Sequence, residues 1–123
     1  MESETGGIPF AADTAVVDAV RPSPNFGARR GRWAETGPDL LLLHYTGMPA
    51  GRGMSAAERA IRWLTTPVSQ VSAHYVVAED GTVTQLVAEG ARAWHAGRSS
   101  WAGEEDVNSA SIGIEIVNPG HWW

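Results

Sequence analysis

Four side chains in this sequence have the types that metal-assisted hydrolysis uses: His44, His74, His95 and Glu115. Neutral imidazoles are common zinc ligands, and a carboxylate beside a metal-bound water can take up the proton that the water releases. His44 ends an apolar run, His74 lies in a β-rich run and His95 lies in a Trp-His-Ala-Gly segment. If these places converge at one rim of a sheet, the four side chains could form a mononuclear zinc site with a general base.

Each of these residues also has a simpler interpretation. A histidine at a strand end is more often a core residue whose ring nitrogens bond to neighbours. A glutamate in an alternating strand more often faces solvent at a sheet edge. The sequence has no His-Glu-x-x-His or Cys-x-x-Cys pair, so spacing alone does not identify a metal site. A structural α/β domain without a cleft therefore stays open at this point.

Two strand-like runs would position the histidine and the glutamate. The apolar run at 39–46 predicts a central strand buried on both faces, with His44 at its C-terminal end, where sheet side chains open onto a cleft. Residues 111–115 read Ser-Ile-Gly-Ile-Glu. Because successive side chains of a strand point to opposite faces, Glu115 shares its face with Ser111 and Gly113, which are small and leave room above it. This pattern is typical of a cleft floor.

The segments between these runs predict a helix and a hairpin. Ser55 and Glu58 form a capping box for a helix of about three turns that ends near Pro67. Two β-rich runs follow, joined by Asp80-Gly81, which is a strong hairpin signal. The order strand, helix, hairpin, strand predicts a mixed central sheet flanked by helices, an α/β or α+β fold.

Proline and glycine are frequent before the first strong strand pattern. We therefore interpret residues 1–22 as an N-terminal tail and residues 23–123 as the domain, while all of residues 1–38 could form a tail or a wrapping arm.

The composition limits the function classes. A length of 123 residues allows one domain. The net charge of −5 argues against a nucleic-acid binder, and the absence of cysteine excludes a thiolate nucleophile or ligand within this sequence. No apolar run is long enough to span a membrane, and the acidic start lacks the pattern of a secretory signal, so we expect a cytoplasmic location.

Five short motifs carry a family resemblance. They are Leu-Leu-Leu-His-Tyr-Thr-Gly, Val-Ser-Ala-His-Tyr-Val-Val, Asp-Gly-Thr-Val-Thr-Gln-Leu-Val, Arg-Ala-Trp-His-Ala-Gly and Asn-Ser-Ala-Ser-Ile-Gly-Ile-Glu-Ile-Val-Asn-Pro-Gly. In order and approximate spacing they resemble the zinc-dependent N-acetylmuramoyl-L-alanine amidases of the type 2 amidase family, which includes the cytoplasmic recycling amidases. The resemblance runs from about Ser23 to His121.

The resemblance implies a mixed sheet flanked by helices, a zinc cofactor, and hydrolysis of the amide between N-acetylmuramic acid and L-alanine in peptidoglycan or muropeptides. His44 matches the first zinc ligand and Glu115 matches the general base. Where more distant relatives have a tyrosine before the second histidine, this sequence has Ala73. The residues expected to bind muropeptide are Tyr45, His74, Trp94 and His95.

The sequence departs from the family pattern after Glu115. Similar enzymes carry their other zinc ligands well downstream, whereas His121 matches a position just after the family's Asn-Pro-Gly turn. We therefore expect a C-terminally truncated amidase domain with an incomplete zinc site and one poorly covered sheet face. A catalytically inactive, muropeptide-binding remnant is the alternative.

Overall fold

A computed structural model describes residues 7–118, and a mixed five-stranded sheet forms its centre. Neighbouring strands of this sheet, in the order β1, β5, β4, β7 and β3, are parallel except for β4 and β5. Strands β2 and β6 form a separate antiparallel pair. The strands are β1 (Ala19–Val20), β2 (Phe26–Ala28), β3 (Leu40–Tyr45), β4 (Tyr75–Val77), β5 (Val83–Gln85), β6 (Ala91–Ala93) and β7 (Ser111–Ile116).

The helices are α1 (Trp33–Thr36), α2 (Ala56–Thr65) and α3 (Val107–Ala110), and a short 3-10 helix, Pro67–Ser69, follows α2. The main core lies between α2 and the sheet, because α2 presents an apolar face to the strands. Its buried members are Ile61, Leu64, Ala73, Val76, Leu86, Val87, Ala93 and Val117. The predicted fold class, a mixed sheet flanked by helices, is confirmed.

The predicted helix and hairpin are both confirmed, although only the Ser55 half of the predicted capping box forms. The Ser55 hydroxyl accepts a hydrogen bond from the Glu58 backbone N–H at 3.1 Å, which caps α2. Strands β4 and β5 pair antiparallel, and Gly81 in the turn between them has a φ of 90°, a conformation that glycine adopts without strain.

Strand β3 lies at the edge of the sheet within residues 7–118. Its alternate residues Leu41 and Leu43 are 66% and 63% exposed. The prediction of a central strand buried on both faces is therefore wrong for the described part of the chain, whereas the expected poorly covered sheet face is confirmed. An apolar run predicts a buried strand, but it does not say which elements cover its two faces.

The N-terminal segment packs along the far edge of the sheet. Strand β1 pairs with β5, and the Asp13 carboxylate accepts hydrogen bonds from the Gln85 side chain at 2.7 Å and the Glu89 backbone N–H at 2.8 Å. Packing thus begins before residue 22, so the predicted boundary between tail and domain does not mark the start of the folded part. The expected wrapping arm describes this segment better.

Arg29 connects this arm to the start of β7 and to the loop before β6. The side chain is buried, and its guanidinium donates hydrogen bonds to several backbone carbonyls. These carbonyls belong to Glu89, Asn108, Ser109 and Ser111. The arm therefore holds the start of β7 and the loop before β6 in place.

No helix of the described residues is long and apolar enough to cross a membrane. His121, singled out in the sequence, lies outside the described residues.

Candidate active site

His44 and Glu115 lie side by side at the C-terminal ends of β3 and β7. The parallel register pairs the two residues directly, and adjacent strands are about 4.8 Å apart with paired side chains on the same face. The predicted proximity of His44 and Glu115 at one end of the sheet is confirmed. Because the carboxyl ends of parallel strands are where sheets open onto ligand clefts, this place suits a site.

The His95 ring fills the space that the small residues of β7 leave. Its Nδ1 lies 3.0 Å from His44 Nε2, and its Nε2 lies 2.9 Å from the Ser111 hydroxyl. A Cβ atom added at Gly113 would come within 2.4 Å of the His95 ring. The room above Ser111 and Gly113 that the sequence indicated is therefore occupied by an imidazole.

The loop that carries His95 is held by its backbone. The Asn108 side-chain carbonyl accepts hydrogen bonds from the N–H groups of His95 at 3.1 Å and Ala96 at 2.8 Å. The Ser72 hydroxyl accepts one from the Trp94 N–H at 2.9 Å. Asn108 was not among the predicted site residues, although an asparagine just before a small-residue strand is the kind of side chain that fixes a neighbouring loop.

His74 does not face the cleft. The residue is fully buried; its Nδ1 accepts a hydrogen bond from the Gly113 N–H at 3.0 Å and its Nε2 donates to the Ala91 carbonyl at 2.9 Å. Both ring nitrogens are thus used inside the protein. The prediction that His74 binds substrate is wrong, because the side chain is buried in the core. The simpler interpretation, a core histidine whose ring nitrogens bond to neighbours, holds for this position.

A cleft of about 250 Å³ opens beside Glu115. It lies between α2 and the ends of β3 and β7. Of the predicted site residues, Tyr45, Trp94, His95 and Glu115 line it, together with Thr46, Met48, Ala60, Trp63, Leu64, Val71 and Ser72.

Trp63 was not among the predicted site residues. This residue shares one face of α2 with Ala60, three positions before it, and it stays 46% exposed. A large aromatic residue beside the apolar positions of an amphipathic helix was the signal available in the sequence.

Burial sets the electrostatics of the site. It raises the pKa of the Glu115 carboxyl to about 7, and within residues 7–118 no hydrogen bond or ion pair stabilises the charged form. Burial also lowers the pKa of His44 and, reinforced by the neighbouring His74 and His44, that of His95 to about 3. Both imidazoles are therefore neutral at neutral pH, which is the state that binds metals.

The described residues fit zinc only in part. A zinc site needs at least three protein ligands, and residues 7–118 contain no group of three or more His, Cys, Asp or Glu side chains that could hold a metal ion. His44 can supply one neutral imidazole nitrogen. The remaining ligands of any zinc site here have to come from outside residues 7–118.

Comparisons with known proteins identify the family of the chain. The profile of a family described as N-acetylmuramoyl-L-alanine amidase matches residues 34–123. The 1,6-anhydro-N-acetylmuramyl-L-alanine amidase AmpD of Citrobacter freundii is 34% identical over 106 residues, which cover 77% of this chain and 55% of that protein.

Two solved structures are similar in fold and sequence. A crystal structure of a selenomethionine AmpD derivative is 34% identical with a TM-score of 0.63, and the match covers 85% of this chain and 63% of that one. The AmiD amidase of E. coli, in complex with anhydro-N-acetylmuramic acid-L-Ala-D-γ-Glu-L-Lys, is 35% identical with a TM-score of 0.55, covering 75% of this chain and 35% of that one. The chain spans slightly more than half the length of the first curated relatives that it matches.

Proposed function

The chain belongs to the N-acetylmuramoyl-L-alanine amidase family, and we propose that the protein hydrolyses the amide bond between N-acetylmuramic acid and L-alanine in peptidoglycan fragments. One observation carries the proposal. The register places His44 directly beside Glu115, and Glu115 lines a cleft with aromatic walls.

In this proposal Glu115 is the general base. Its carboxylate takes a proton from water while the water oxygen attacks the lactyl carbonyl carbon, and the protonated carboxyl then gives a proton to the amine of L-alanine as the C–N bond breaks. A pKa of about 7, raised by burial, suits a group that accepts and returns a proton near neutral pH.

We propose His44 as one ligand of a zinc ion, with the other ligands supplied from outside residues 7–118. When bound, zinc supplies the acidity that makes water nucleophilic at neutral pH. Within the described chain, the task of His44 is to present a neutral imidazole next to Glu115.

The cleft residues would hold the substrate. Tyr45, Trp94 and His95 were expected to contact muropeptide, and Trp63 adds a second indole to the walls. A cleft of about 250 Å³ is close in size to the smallest of the ~300–1,000 Å³ pockets that hold small-molecule ligands. The bound fragment named in the AmiD structure supports this substrate class.

The test is release of L-alanyl peptide from N-acetylmuramoyl-L-alanyl-γ-D-glutamyl-L-lysine, followed by mass spectrometry, with zinc present. The sample is the protein translated from its complete reading frame. We expect Glu115→Gln to lower the rate at least ~100-fold, the contribution typical of a general base, whereas Glu79→Gln in the exposed hairpin turn leaves it unchanged. Unchanged turnover by Glu115→Gln would refute the assigned role.

A second candidate function is muropeptide binding without hydrolysis by residues 1–123 alone. The aromatic cleft beside Glu115 is the observation that supports it. In the same assay, binding of the fragment without product by the 123-residue chain, together with turnover by the complete reading frame, would assign binding to the chain and hydrolysis to the whole protein. The expected cytoplasmic location stays a prediction, for which cell fractionation is the measurement.

A further inference from the structure

We propose that Ser111 and His95 are positioning residues that fix the tautomer and the ring orientation of His44. The proposal rests on a continuous chain of hydrogen bonds that starts at a backbone carbonyl in α3 and ends at the His44 ring. Each bond in this chain determines which atom carries the proton in the next.

The first bond joins Ser111 to α3. The Ser111 hydroxyl oxygen lies 2.6 Å from the Val107 carbonyl oxygen. A carbonyl oxygen can only accept, so the hydroxyl proton of Ser111 points at Val107. The hydroxyl has one proton, and towards any other partner Ser111 must therefore be an acceptor.

The second bond sets the proton of His95. Its Nε2 lies 2.9 Å from the Ser111 oxygen, and since that oxygen accepts, Nε2 carries the hydrogen. A neutral imidazole has one N–H and one lone pair. The Nδ1 atom of His95 is consequently the acceptor.

The third bond determines which nitrogen of His44 carries the hydrogen. His44 Nε2 lies 3.0 Å from His95 Nδ1, so His44 Nε2 is the donor and carries the hydrogen. The lone pair of His44 is left on Nδ1, which forms no hydrogen bond with the residues that the structure describes. The two rings meet edge to face, with an interplanar angle of 76°, so the bond fixes the orientation of His44 as well.

Packing keeps the middle of the chain in place. Gly113 lies under the His95 ring, and a Cβ atom there would overlap ring atoms at 2.4 to 2.6 Å. The Asn108 amide holds the backbone N–H of His95. His95 thus has little freedom to turn away from Ser111 and His44.

This inference deepens the proposed function and in part rests on it. A histidine ligand is commonly oriented by a hydrogen bond from its second nitrogen. If His44 binds zinc, the chain of bonds leaves Nδ1 as the nitrogen that does so. The hydrogen-bond chain itself is independent of the metal.

The experiment is NMR of the metal-free protein translated from its complete reading frame, with ¹⁵N-labelled histidine, at about pH 7.5, above the ordinary imidazole pKa of about 6.5. Long-range proton–nitrogen correlation spectra identify the tautomer of each ring. We expect His44 and His95 both to carry hydrogen on Nε2, with a scalar coupling across the hydrogen bond from His44 Nε2 to His95 Nδ1. A wild-type His44 with hydrogen on Nδ1, or no such coupling, overturns the proposal without any variant.

Two variants test the positioning role. Ser111→Ala removes the acceptor, and Gly113→Ala displaces the His95 ring while every hydrogen-bonding group is kept. In both we expect the ratio of the Nε2–H to the Nδ1–H tautomer of His44 to fall by about fivefold to tenfold, the effect of losing one hydrogen bond. Ser23→Ala is the matched control, because Ser23 is also buried and donates to a backbone carbonyl, that of Leu64 at 2.6 Å.

The outcomes separate the two proposals. A folded Ser111→Ala variant with the wild-type His44 tautomer overturns the positioning role, and so does an equal change in Ser23→Ala, which would indicate a general structural effect. Zinc is then added to the protein from the complete reading frame. If His44 has the expected tautomer but its Nδ1 signal does not respond to zinc, the metal role in the proposed function fails and the positioning role stands.

Discussion

At the scale of single residues, His74 shows how burial converts a histidine into a pH-dependent element of the fold. The Arg29 guanidinium lies 3.3 Å from its Nε2, and the His95 ring packs edge to face against its ring with the two centroids 6.0 Å apart. Burial lowers its pKa to about 4; the Ala91 hydrogen bond opposes this shift, and Arg29 reinforces it. The folded protein therefore holds the neutral ring.

This shift predicts acid sensitivity. The unfolded chain binds a proton near pH 6.5 and the folded chain only near pH 4, so stability is full above pH 6.5 and falls as the pH drops towards 4. The upper limit is ~3 kcal/mol at about 1.4 kcal/mol per pKa unit. We expect the free energy of unfolding, measured with urea, to fall less steeply with decreasing pH in His74→Gln than in wild type. Some dependence on pH should stay, because the variant keeps His95. Equal slopes would contradict the prediction.

At this scale the proximity of Glu115 and His44 could be predicted from the sequence, because strand alternation and motif order are local properties. It did not separate His74 from His95. Both occur next to β-rich or aromatic residues, and only the tertiary structure shows that Ala91 and Gly113 use both nitrogens of His74 while His95 reaches the cleft.

At the scale of elements, one carboxylate joins α2 to the N-terminal arm. Glu58 was predicted to close a capping box with the Ser55 backbone. Instead its carboxylate accepts hydrogen bonds from Arg21 at 2.5 Å and from Arg62 at 2.8 Å. The hydrogen bond from Arg21 is the main cause that lowers the pKa of Glu58 to about 2, and burial opposes it. The helix was predictable from its local pattern, but its partner in the arm, distant in sequence, was not.

The ion pair predicts a second pH-dependent contribution. Because the folded pKa is lowered, the stabilisation is present above the unfolded pKa of about 4.5 and is lost as the pH falls towards 2. Since Arg21 and Glu58 are about one-third exposed, we expect Glu58→Gln to cost only ~1 kcal/mol at pH 7, and the difference from wild type to shrink by pH 3.5. Chemical unfolding at both pH values measures it, with Glu79→Gln as a control. An equal loss in the free energy of unfolding at both pH values would show that Glu58 stabilises the fold by packing and not by its charge.

At the scale of the whole molecule, the sheet has one face that the described elements do not cover. Leu41 and Leu43 of β3 are each more than 60% exposed, and Ile116 on β7 is 39% exposed. The sequence predicted this imbalance because one helix covers only one face of an apolar strand. It could not predict that β3 lies at the sheet edge within residues 7–118, since strand order depends on pairings between distant segments.

An edge strand with an apolar face promotes association of chains. We expect the 123-residue chain to self-associate at micromolar concentration, and Leu41→Lys with Leu43→Lys to raise its monomer fraction in sedimentation velocity. Two lysines change the net charge from −5 to −3, which by itself favours association, so a gain in monomer would arise from the lost apolar surface. Both sites are exposed, and each substitution should alter the free energy of unfolding by less than ~0.5 kcal/mol.

The matched control adds the same two charges elsewhere. Val16 and Val68 are 66% and 79% exposed and lie outside this sheet face, so Val16→Lys with Val68→Lys should leave the association unchanged or increase it. An equal rise in monomer for both pairs would show a general charge effect. A wild-type chain that stays monomeric over the whole concentration range would show that the exposed face of β3 does not drive association, because only an associating surface makes the monomer fraction depend on concentration.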